Sequence, residues 1–272
     1  FDYDNDGWLD LFVASYQASV GHLLADYRGE PHGGVAPYLY HNKGDGSFEN
    51  VARQAGLEHP YLPMGANFGD IDNDGFLDIY LATGDPDYRT LTPNVMLRND
   101  AGTGFENVTF SAGLGHLQKG HGVAFADLDH DGDQDLYNQL GGFYPGDRFH
   151  NALFLNPGHG HRHIVLQLVG TQSNRASVGA RLRITVASAN GRRFIHRAIG
   201  SVSSFGGSPS GRCEIGLGDA SAIEEILIRW PGGSEQRFGG IPLDSHVRIT
   251  ESAGEFETVR RDEIAFPGDE GA

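Results

Sequence analysis

The chain has 272 residues, with 36 Asp and Glu against 20 Lys and Arg, so its formal net charge is −16. This acidity disfavours nucleic acid as a partner because a polyanion is repelled, and no apolar run reaches the roughly 18 residues of a membrane-spanning helix. The single cysteine, Cys213, excludes an intrachain disulfide, and the 40 glycines favour many turns between short strands.

An acidic motif occurs three times in the first half of the chain. It reads Asp-x-Asp-x-Asp-Gly-x-x-Asp and starts at Asp2, Asp70 and Asp127. A second landmark, which ends in asparagine, recurs every 57 residues, at Asn42, Asn99 and Asn156. The first repeat carries 11 additional residues between Asp10 and Tyr38. Agreement between the two landmarks indicates an internal structural repeat.

Short runs with strand character lie between these landmarks. Leu77–Ala82 follows the second acidic motif, and Asn94–Arg98 forms a predicted hairpin with Phe105–Val108. Several strands per repeat match a four-stranded propeller blade. We therefore predict an all-β fold in which residues 1–156 form about three blades of a partial β-propeller. Three blades rarely close a ring, and the chain starts without an initiator methionine or a signal peptide. We expect missing N-terminal blades or a partner chain to complete the propeller.

The acidic motifs have the spacing of the first half of an EF-hand loop. Carboxylates at positions 1, 3, 5 and 9 can point at one centre, and glycine at position 6 permits the sharp turn. Calcium takes six to eight oxygen ligands, whereas magnesium resists complete dehydration. We therefore predict about three structural Ca²⁺ ions, rather than ordinary acidic turns. The predicted ligands are Asp2, Asp4, Asp6, Asp10 and the Trp8 carbonyl; Asp70, Asp72, Asp74, Asp78 and the Phe76 carbonyl; and Asp127, Asp129, Asp131, Asp135 and the Asp133 carbonyl.

The repeat stops at Asn156, and a different pattern follows. Residues 157–160 have the composition of a linker, and residues 157–252 are predicted to form a small β-sandwich-like domain. Residues 253–272 form a polar tail, which we expect to be flexible or packed against the propeller. The predicted strands are Ile164–Val169, Ala180–Val186, Arg193–Ile199, Arg212–Leu217, Glu225–Trp230, Gln236–Phe238 and Val247–Thr250.

These motifs carry a resemblance to known families. The acidic repeats resemble the FG-GAP/VCBS repeats of calcium-loop β-propellers, which also occur in integrin α-chains. The C-terminal segment resembles the UnbV domain that follows such repeats in the cartilage acidic protein (ASPIC/UnbV) family. Its matching runs are Gly170–Arg175, Val178–Arg181, Ile215–Gly218 and Ile228–Gly233. The resemblance implies a secreted, periplasmic or cell-surface protein that binds calcium and other macromolecules.

The function that this sequence favours is an extracytoplasmic calcium-binding interaction module with a protein or glycan partner, as a subunit of a larger assembly. Three loops combine aromatic, acidic and arginine residues, a composition suited to recognition: Tyr16–Ala36, Asp85–Arg89 and Tyr144–Arg148. Solvated connecting loops are the alternative interpretation of these segments.

Two other functions stay open at this stage. One is an enzyme, a hydrolase or lyase, with a site at the propeller centre or the domain junction. The other is a structural or adhesive surface protein. Because no Gly-x-Ser-x-Gly elbow accompanies the serines near residue 201, we assign no catalytic or organic-cofactor residue. The histidines of His159–His163 fit a transition-metal site, but we favour a polar linker because no carboxylate or cysteine is clustered with them.

Overall fold

A computed structural model describes residues 1–87, 90–142, 144–201, 203–205, 207–208 and 210–266. These residues form short strands in five sheets, with one helix of eight residues, which confirms the predicted all-β class. Three sheets come from the repeats and two from the C-terminal segment. Helical structure within the described ranges is too short and too polar to cross a membrane.

Each repeat forms one antiparallel sheet whose neighbouring strands are consecutive in the chain. Sheet 1 contains β1 (Leu11–Val13), β2 (Tyr38–Asn42) and β3 (Phe48–Asn50). Sheet 2 contains β4 (Pro63–Gly69), β5 (Asp78–Thr83), β6 (Val95–Asn99) and β7 (Phe105–Asn107). Sheet 3 contains β8 (Gly120–Ala126), β9 (Asp135–Leu140) and β10 (Ala152–Phe154). The strand runs predicted for the second repeat are therefore confirmed within one or two residues.

The insertion in the first repeat contains a helix that the sequence analysis did not predict. Helix α1 (Val20–Tyr27) follows Ser19, whose hydroxyl accepts a hydrogen bond from the His22 N–H. This is the usual N-cap arrangement, in which a serine oxygen pairs with one of the free N–H groups of the first turn. None of the helix residues is buried, so the helix lies on the surface.

Strand β5 shows how the repeat sheets stack. Its residues alternate, so that Ile79 and Leu81 pack in the core shared with sheet 1, and Tyr80 and Ala82 pack in the core shared with sheet 3. All six residues of the strand are consequently buried. Burial on both faces is what a central blade of a stacked series requires, and it explains the continuous apolar run in the sequence.

The C-terminal sheets share one apolar core and form a β-sandwich. One sheet contains β11 (Arg162–Val169), β14 (Cys213–Gly218), β17 (Ser245–Thr250) and β18 (Glu257–Thr258). The other contains β12 (Arg181–Ser188), β13 (Gly191–Ala198), β15 (Ala222–Arg229) and β16 (Glu235–Phe238). Strand β18 lies within the predicted polar tail, and residues 267–272 of that tail lie outside the described residues.

A buried carboxylate holds the turn that precedes β12. The backbone N–H groups of Thr171, Gln172 and Ser173 donate to Glu251 Oε2 at 2.7–2.8 Å. Burial alone would raise the pKa of Glu251, but these hydrogen bonds lower it to about 2. Glu251 therefore stays ionised and fixes the turn to the end of β17.

The recurring asparagines join each sheet to the acidic loops. The backbone N–H of Asn99 donates to Asp78 Oδ1 at 2.7 Å, and its Nδ2 donates to the Leu77 carbonyl at 3.1 Å. The same Nδ2 donates to the Tyr3 carbonyl in the loop of the first repeat, at 2.8 Å. Because Asn99 is 3% exposed, these bonds form in a region where a lost partner is not replaced by water.

Asn156 makes the bond that is equivalent to the one between Asn99 and Tyr3. Its Nδ2 donates to the Ile71 carbonyl, in the loop of the preceding repeat, at 2.6 Å. Asn42 makes the bonds within its own repeat, to Asp10 and Leu9. The three asparagines therefore fasten each loop to its own sheet, and two of them also fasten the loop of the preceding repeat.

Replacing Asn99 by Ala is expected to destabilise the chain more than replacing Asn42 by Ala. Both variants keep the backbone N–H bond and lose the Nδ2 bond within the repeat, to Leu77 or Leu9, but N99A also leaves the Tyr3 carbonyl without its buried donor. The difference in unfolding free energy should be at least about 1 kcal/mol, the typical contribution of one buried hydrogen bond. Urea unfolding of the two variants measures it, and equal costs would contradict a role for Asn99 between the sheets.

Candidate metal centres

The three acidic loops adopt one backbone conformation. The fourth position is left-handed in each loop, with φ of 59° at Asn5, 54° at Asn73 and 68° at His130. The sixth position has φ of 94° at Gly7, 93° at Gly75 and 99° at Gly132. Glycine is required there because L side chains rarely adopt such angles, which gives the invariant glycine of the motif its physical reason.

Hydrogen bonds inside the loops also recur, as the second loop illustrates. The Phe76 N–H donates to Asp74 Oδ1 at 2.7 Å. Asp78 accepts from two backbone N–H groups, Ile71 at 2.8 Å and Asn99 at 2.7 Å. Both patterns also occur in the other loops. The acceptors are Asp6 and Asp10 in the first loop, and Asp131 and Asp135 in the third loop. The ninth-position carboxylates therefore tie the start of each loop to the following asparagine.

The first aspartate of each loop has a buried oxygen without a partner. Asp2, Asp70 and Asp127 are 4%, 1% and 4% exposed, and Oδ1 of each forms no hydrogen bond. Each also belongs to a group of three acidic residues whose ligand atoms lie within 4.8 Å of one another. The groups are Asp2, Asp4 and Asp6; Asp70, Asp72 and Asp78; and Asp127, Asp129 and Asp131. Unpartnered buried carboxylate oxygens are costly, so these acidic groups fit a cation.

Burial sets the protonation of these carboxylates. Burial, together with the neighbouring carboxylates Asp6 and Asp4, raises the pKa of Asp2 to about 7, although a hydrogen bond from the Gly7 N–H opposes the shift. Burial also raises the pKa of Asp70 to about 7, although the Arg197 guanidinium opposes the shift. A divalent cation at the centre of the loop would favour the ionised forms and reverse both shifts.

Some predicted ligands lie outside these close groups. Asp74 and Asp135 are absent from the three loop groups, and Asp10 instead groups with Asp4 and His41. The side chain of Asp133 accepts from Asn73 Nδ2 at 2.7 Å. The predicted carbonyl ligands belong to Trp8, Phe76 and Asp133. The N–H group of each of these residues donates to the fifth-position carboxylate of its own loop. The complete ligand sets stay predictions.

The sandwich lies along the acidic loops. Arg197 Nη2 is 3.1 Å from Asp70 Oδ2, and the Gly216 N–H donates to the same oxygen at 3.2 Å. The His196 N–H donates to Asn5 Oδ1 in the first loop at 2.9 Å. Arg197 and Asp70 are both buried, so the sandwich supplies part of the environment of the second loop. These contacts could not be found from sequence motifs, because the paired residues are more than a hundred positions apart in the chain.

The histidine-rich linker and the tail also contact the loops. His161 Nδ1 lies 2.6 Å from the Asp72 carbonyl. In the third loop, the Ile264 N–H donates to the Asp129 carbonyl at 2.6 Å, and His130 Nδ1 lies 3.1 Å from the Asp262 carbonyl. The linker and the described part of the tail therefore pack against the same edge of the repeats as the sandwich.

A cleft of about 280 Å³ separates the first loop from the outer face of the sandwich. Its basic lining comes from Arg181, Arg183, Arg229 and His196, and the 51%-exposed Trp8 forms part of the opposite wall. Arg181 and Arg229 face each other directly across β12 and β15. Glu225 pairs with Arg183 at 3.3 Å and Glu235 pairs with Arg229 at 2.7 Å, so the positive charge of the cleft is partly neutralised.

The fold and loops together define a class: stacked antiparallel repeat sheets with acidic loops, followed by a β-sandwich that covers those loops. Residues 2–81 match the FG-GAP-like repeat family, and residues 170–256 match the ASPIC and UnbV family. The resemblance predicted from the motifs is therefore confirmed for both segments.

Comparisons with curated proteins and with solved structures find little similarity to this chain. No curated protein matches the chain. One solved structure, a "putative cell adhesion protein" from Bacteroides ovatus ATCC 8483, is 11% identical with a TM-score of 0.27. The alignment covers 83% of this chain and 94% of that one. Similarity at this level supports no statement about function.

The metal-free chain is expected to lose stability as the pH rises from about 5 to about 8. The folded-state pKa values of Asp2 and Asp70 are about 7, above the ordinary value of 3.8. Between these values the folded chain binds more protons than the unfolded chain, so raising the pH favours unfolding. Thermal melting in chelator should give a higher Tm at pH 6 than at pH 8. A higher Tm at pH 8 would contradict this assignment.

Proposed function

We propose that the protein is an extracytoplasmic calcium-binding module that recognises a protein or glycan partner. The observation that supports this proposal is the threefold recurrence of a buried, unpartnered Oδ1 at the first position of the acidic loops, in Asp2, Asp70 and Asp127. Surroundings made of carboxylates favour a hard cation that takes oxygen ligands. Secreted, periplasmic or cell-surface locations suit such loops, because extracellular modules bind calcium at roughly 10⁻⁴–10⁻³ M.

The proposed role of the three Ca²⁺ ions is structural. In this proposal residues 1–156 form the blade repeats, residues 157–252 form the sandwich domain, and residues 253–272 form the tail. The sandwich contacts the second loop through Arg197 and Gly216. Calcium would neutralise the buried carboxylates between the two parts and so make their packing conditional on the ion.

An apolar face of sheet 1 supports an interaction role. Leu11 and Phe48 are 53% and 51% exposed, and they share this face with Val13, Tyr38 and Tyr40. The equivalent residues of sheet 2 are buried against sheet 1: Ile79, Leu81, Val95, Leu97 and Phe105. The repeat therefore uses this face for packing between sheets, and in sheet 1 it is left open.

We propose that the open face of sheet 1 packs on another sheet of the same repeat type. Either a partner chain or further repeats would supply that sheet. Exposed apolar patches of this kind mark interaction sites, and the buried counterpart in sheet 2 supports an apolar partner surface. The partner surface is thus an apolar β-sheet face, which resembles the side of sheet 1 that carries Leu39.

The long loops are proposed as a second contact region for partners. In the insertion Tyr16 and Tyr27 are 45% and 91% exposed, and large exposed aromatic side chains are typical of recognition surfaces. The basic cleft beside Trp8 would suit an anionic group on a protein or glycan. Of the predicted loop Asp85–Arg89, Tyr88 and Arg89 lie outside the described residues.

Calcium titration of the chelator-treated chain is expected to show about three sites. Asp127→Asn should remove or weaken one of them, because an amide is a poorer ligand than a carboxylate. Asp100→Asn is the matched control, since Asp100 is an exposed aspartate in a hairpin turn. Isothermal titration calorimetry counts the sites, and calcium should raise the Tm of the wild type. Absence of calcium uptake, or equal behaviour of the two variants, would refute the metal proposal.

Self-association of the chain is expected to occur through the open face of sheet 1, because a second copy of the chain also contains repeat sheets. Replacing Leu11 and Val13 together by lysine is expected to reduce association in sedimentation velocity. The control replaces Leu91 and Leu117 by lysine; both are at least as exposed as Leu11 and lie outside sheet 1 and the insertion. A wild-type chain that stays monomeric at all concentrations, or equal effects of the two double variants, would contradict the proposed surface.

A further inference from the structure

The first acidic loop has a nitrogen donor beside its carboxylates. His41, immediately before Asn42, places Nδ1 3.4 Å from Asp4 Oδ2 and 3.4 Å from Asp10 Oδ1. This nitrogen is buried and forms no hydrogen bond. The edge of the His41 ring also packs against Tyr3, with ring centroids 6.1 Å apart and planes at 84°. The imidazole therefore has a buried nitrogen that forms no hydrogen bond and lies at ion-pair distance from two carboxylates.

The other two loops have no such donor at the equivalent position. The 57-residue repeat places Arg98 and Leu155 where the first repeat has His41. Arg98 pairs with Glu106 at 2.8 Å, and a leucine side chain offers no ligand atom. The three loops thus share one backbone but differ in ligand chemistry.

A second observation also points to an ion in the first loop. Asp2 is 4% exposed, and its Oδ1 is a buried oxygen without a partner. Its ligand atom lies within 4.8 Å of those of Asp4 and Asp6. Asp4 belongs both to this group and to the group with Asp10 and His41. Asp4 therefore links the group that contains Asp2 to the group that contains His41.

Donor type decides which ion such a set prefers. Calcium and magnesium take oxygen ligands, whereas imidazole suits zinc and neighbouring transition metals. Tetrahedral bonds of about 2.0–2.2 Å place adjacent donors roughly 3.4 Å apart, which agrees with the spacing around His41. The same spacing also fits a larger ion whose ligands lie at right angles. The nitrogen donor, rather than the spacing, therefore distinguishes a transition metal from calcium.

We propose that the first loop binds a transition-metal dication of the zinc and cobalt class in preference to calcium, with His41, Asp4 and Asp10 as ligands. The inference rests on the proposed function in that the loops bind dications, and it narrows the ion of one loop. The second and third loops keep calcium. The protein is thereby a mixed-metal module rather than one with three equivalent sites.

The test is a Co²⁺ titration of the full chain in saturating calcium, followed by visible absorption, with Zn²⁺ competition by calorimetry. The wild type should bind one Co²⁺ with ligand-field bands, and Zn²⁺ should displace it. His41→Leu, which introduces the residue of the third repeat, should weaken Co²⁺ binding at least roughly tenfold, the loss caused by removing even an outer-shell partner. His41→Gln provides a second variant in case the leucine disturbs folding.

His59→Leu is the matched control. His59 Nδ1 also lies close to an aspartate, 2.9 Å from Asp26, and His32 contacts the other oxygen of that aspartate. Wild-type Co²⁺ binding by H59L together with its loss in H41L supports the inference. Loss in H59L alone would assign the ion to the insertion, and equal binding by all variants would also overturn the proposal.

Calcium uptake separates this inference from the proposed function. If the chain binds about three calcium ions without cobalt, and H41L leaves the cobalt response unchanged, only the transition-metal assignment fails. If neither the wild type nor H41L takes up calcium, the proposed function fails. Displacement of one calcium by Zn²⁺ in the wild type, but not in H41L, supports both.

Discussion

The structure depends on burying negative charge at the edge of the repeat sheets. Each acidic loop places its first aspartate almost fully out of water, and one oxygen of each of Asp2, Asp70 and Asp127 has no protein partner. Desolvated carboxylates of this kind either take up protons or take up a cation. The loops also connect the sheets with the sandwich, so the charge at these positions affects both parts of the fold.

Hydrogen bonds between neighbouring repeats connect the acidic loops to one another. Asn99 and Asn156 each donate to a backbone carbonyl in the preceding loop, and Asn73 donates to the Gly132 carbonyl of the following loop. The sandwich adds Arg197, whose guanidinium lies beside Asp70. Removing the neutralising charge from one loop would therefore strain the contacts of its neighbours. Under the proposed function, this connectivity is the reason why a metal ion that performs no chemistry would stabilise the module.

Much of the fold is predictable from the sequence because its signals are local. The carboxylates and glycine of each loop lie within nine residues, and the continuous apolar run of strand β5 is Ile79–Ala82. Contacts between the repeats and the sandwich are not visible in this way. Arg197 and Asp70 are 127 residues apart, and their pairing depends on how two folded units pack. Helix α1 was missed because its insertion has no counterpart in the other repeats.

The acidic groups of the candidate site were predictable from the sequence, but the differences between the loops were not. The role proposed for His41 depends on the face of β2 that it occupies and on its distance to Asp10, and the spacing of residues in the sequence gives neither. A crystal structure of the calcium-loaded chain, with anomalous scattering to locate the ions, tests the central claim most directly. The account predicts ions about 2.3–2.6 Å from Oδ1 of Asp70 and Asp127, the distance range of calcium ligands, and an ion beside Asp2. Loops without ions, whose Oδ1 atoms bind protein groups instead, would contradict it.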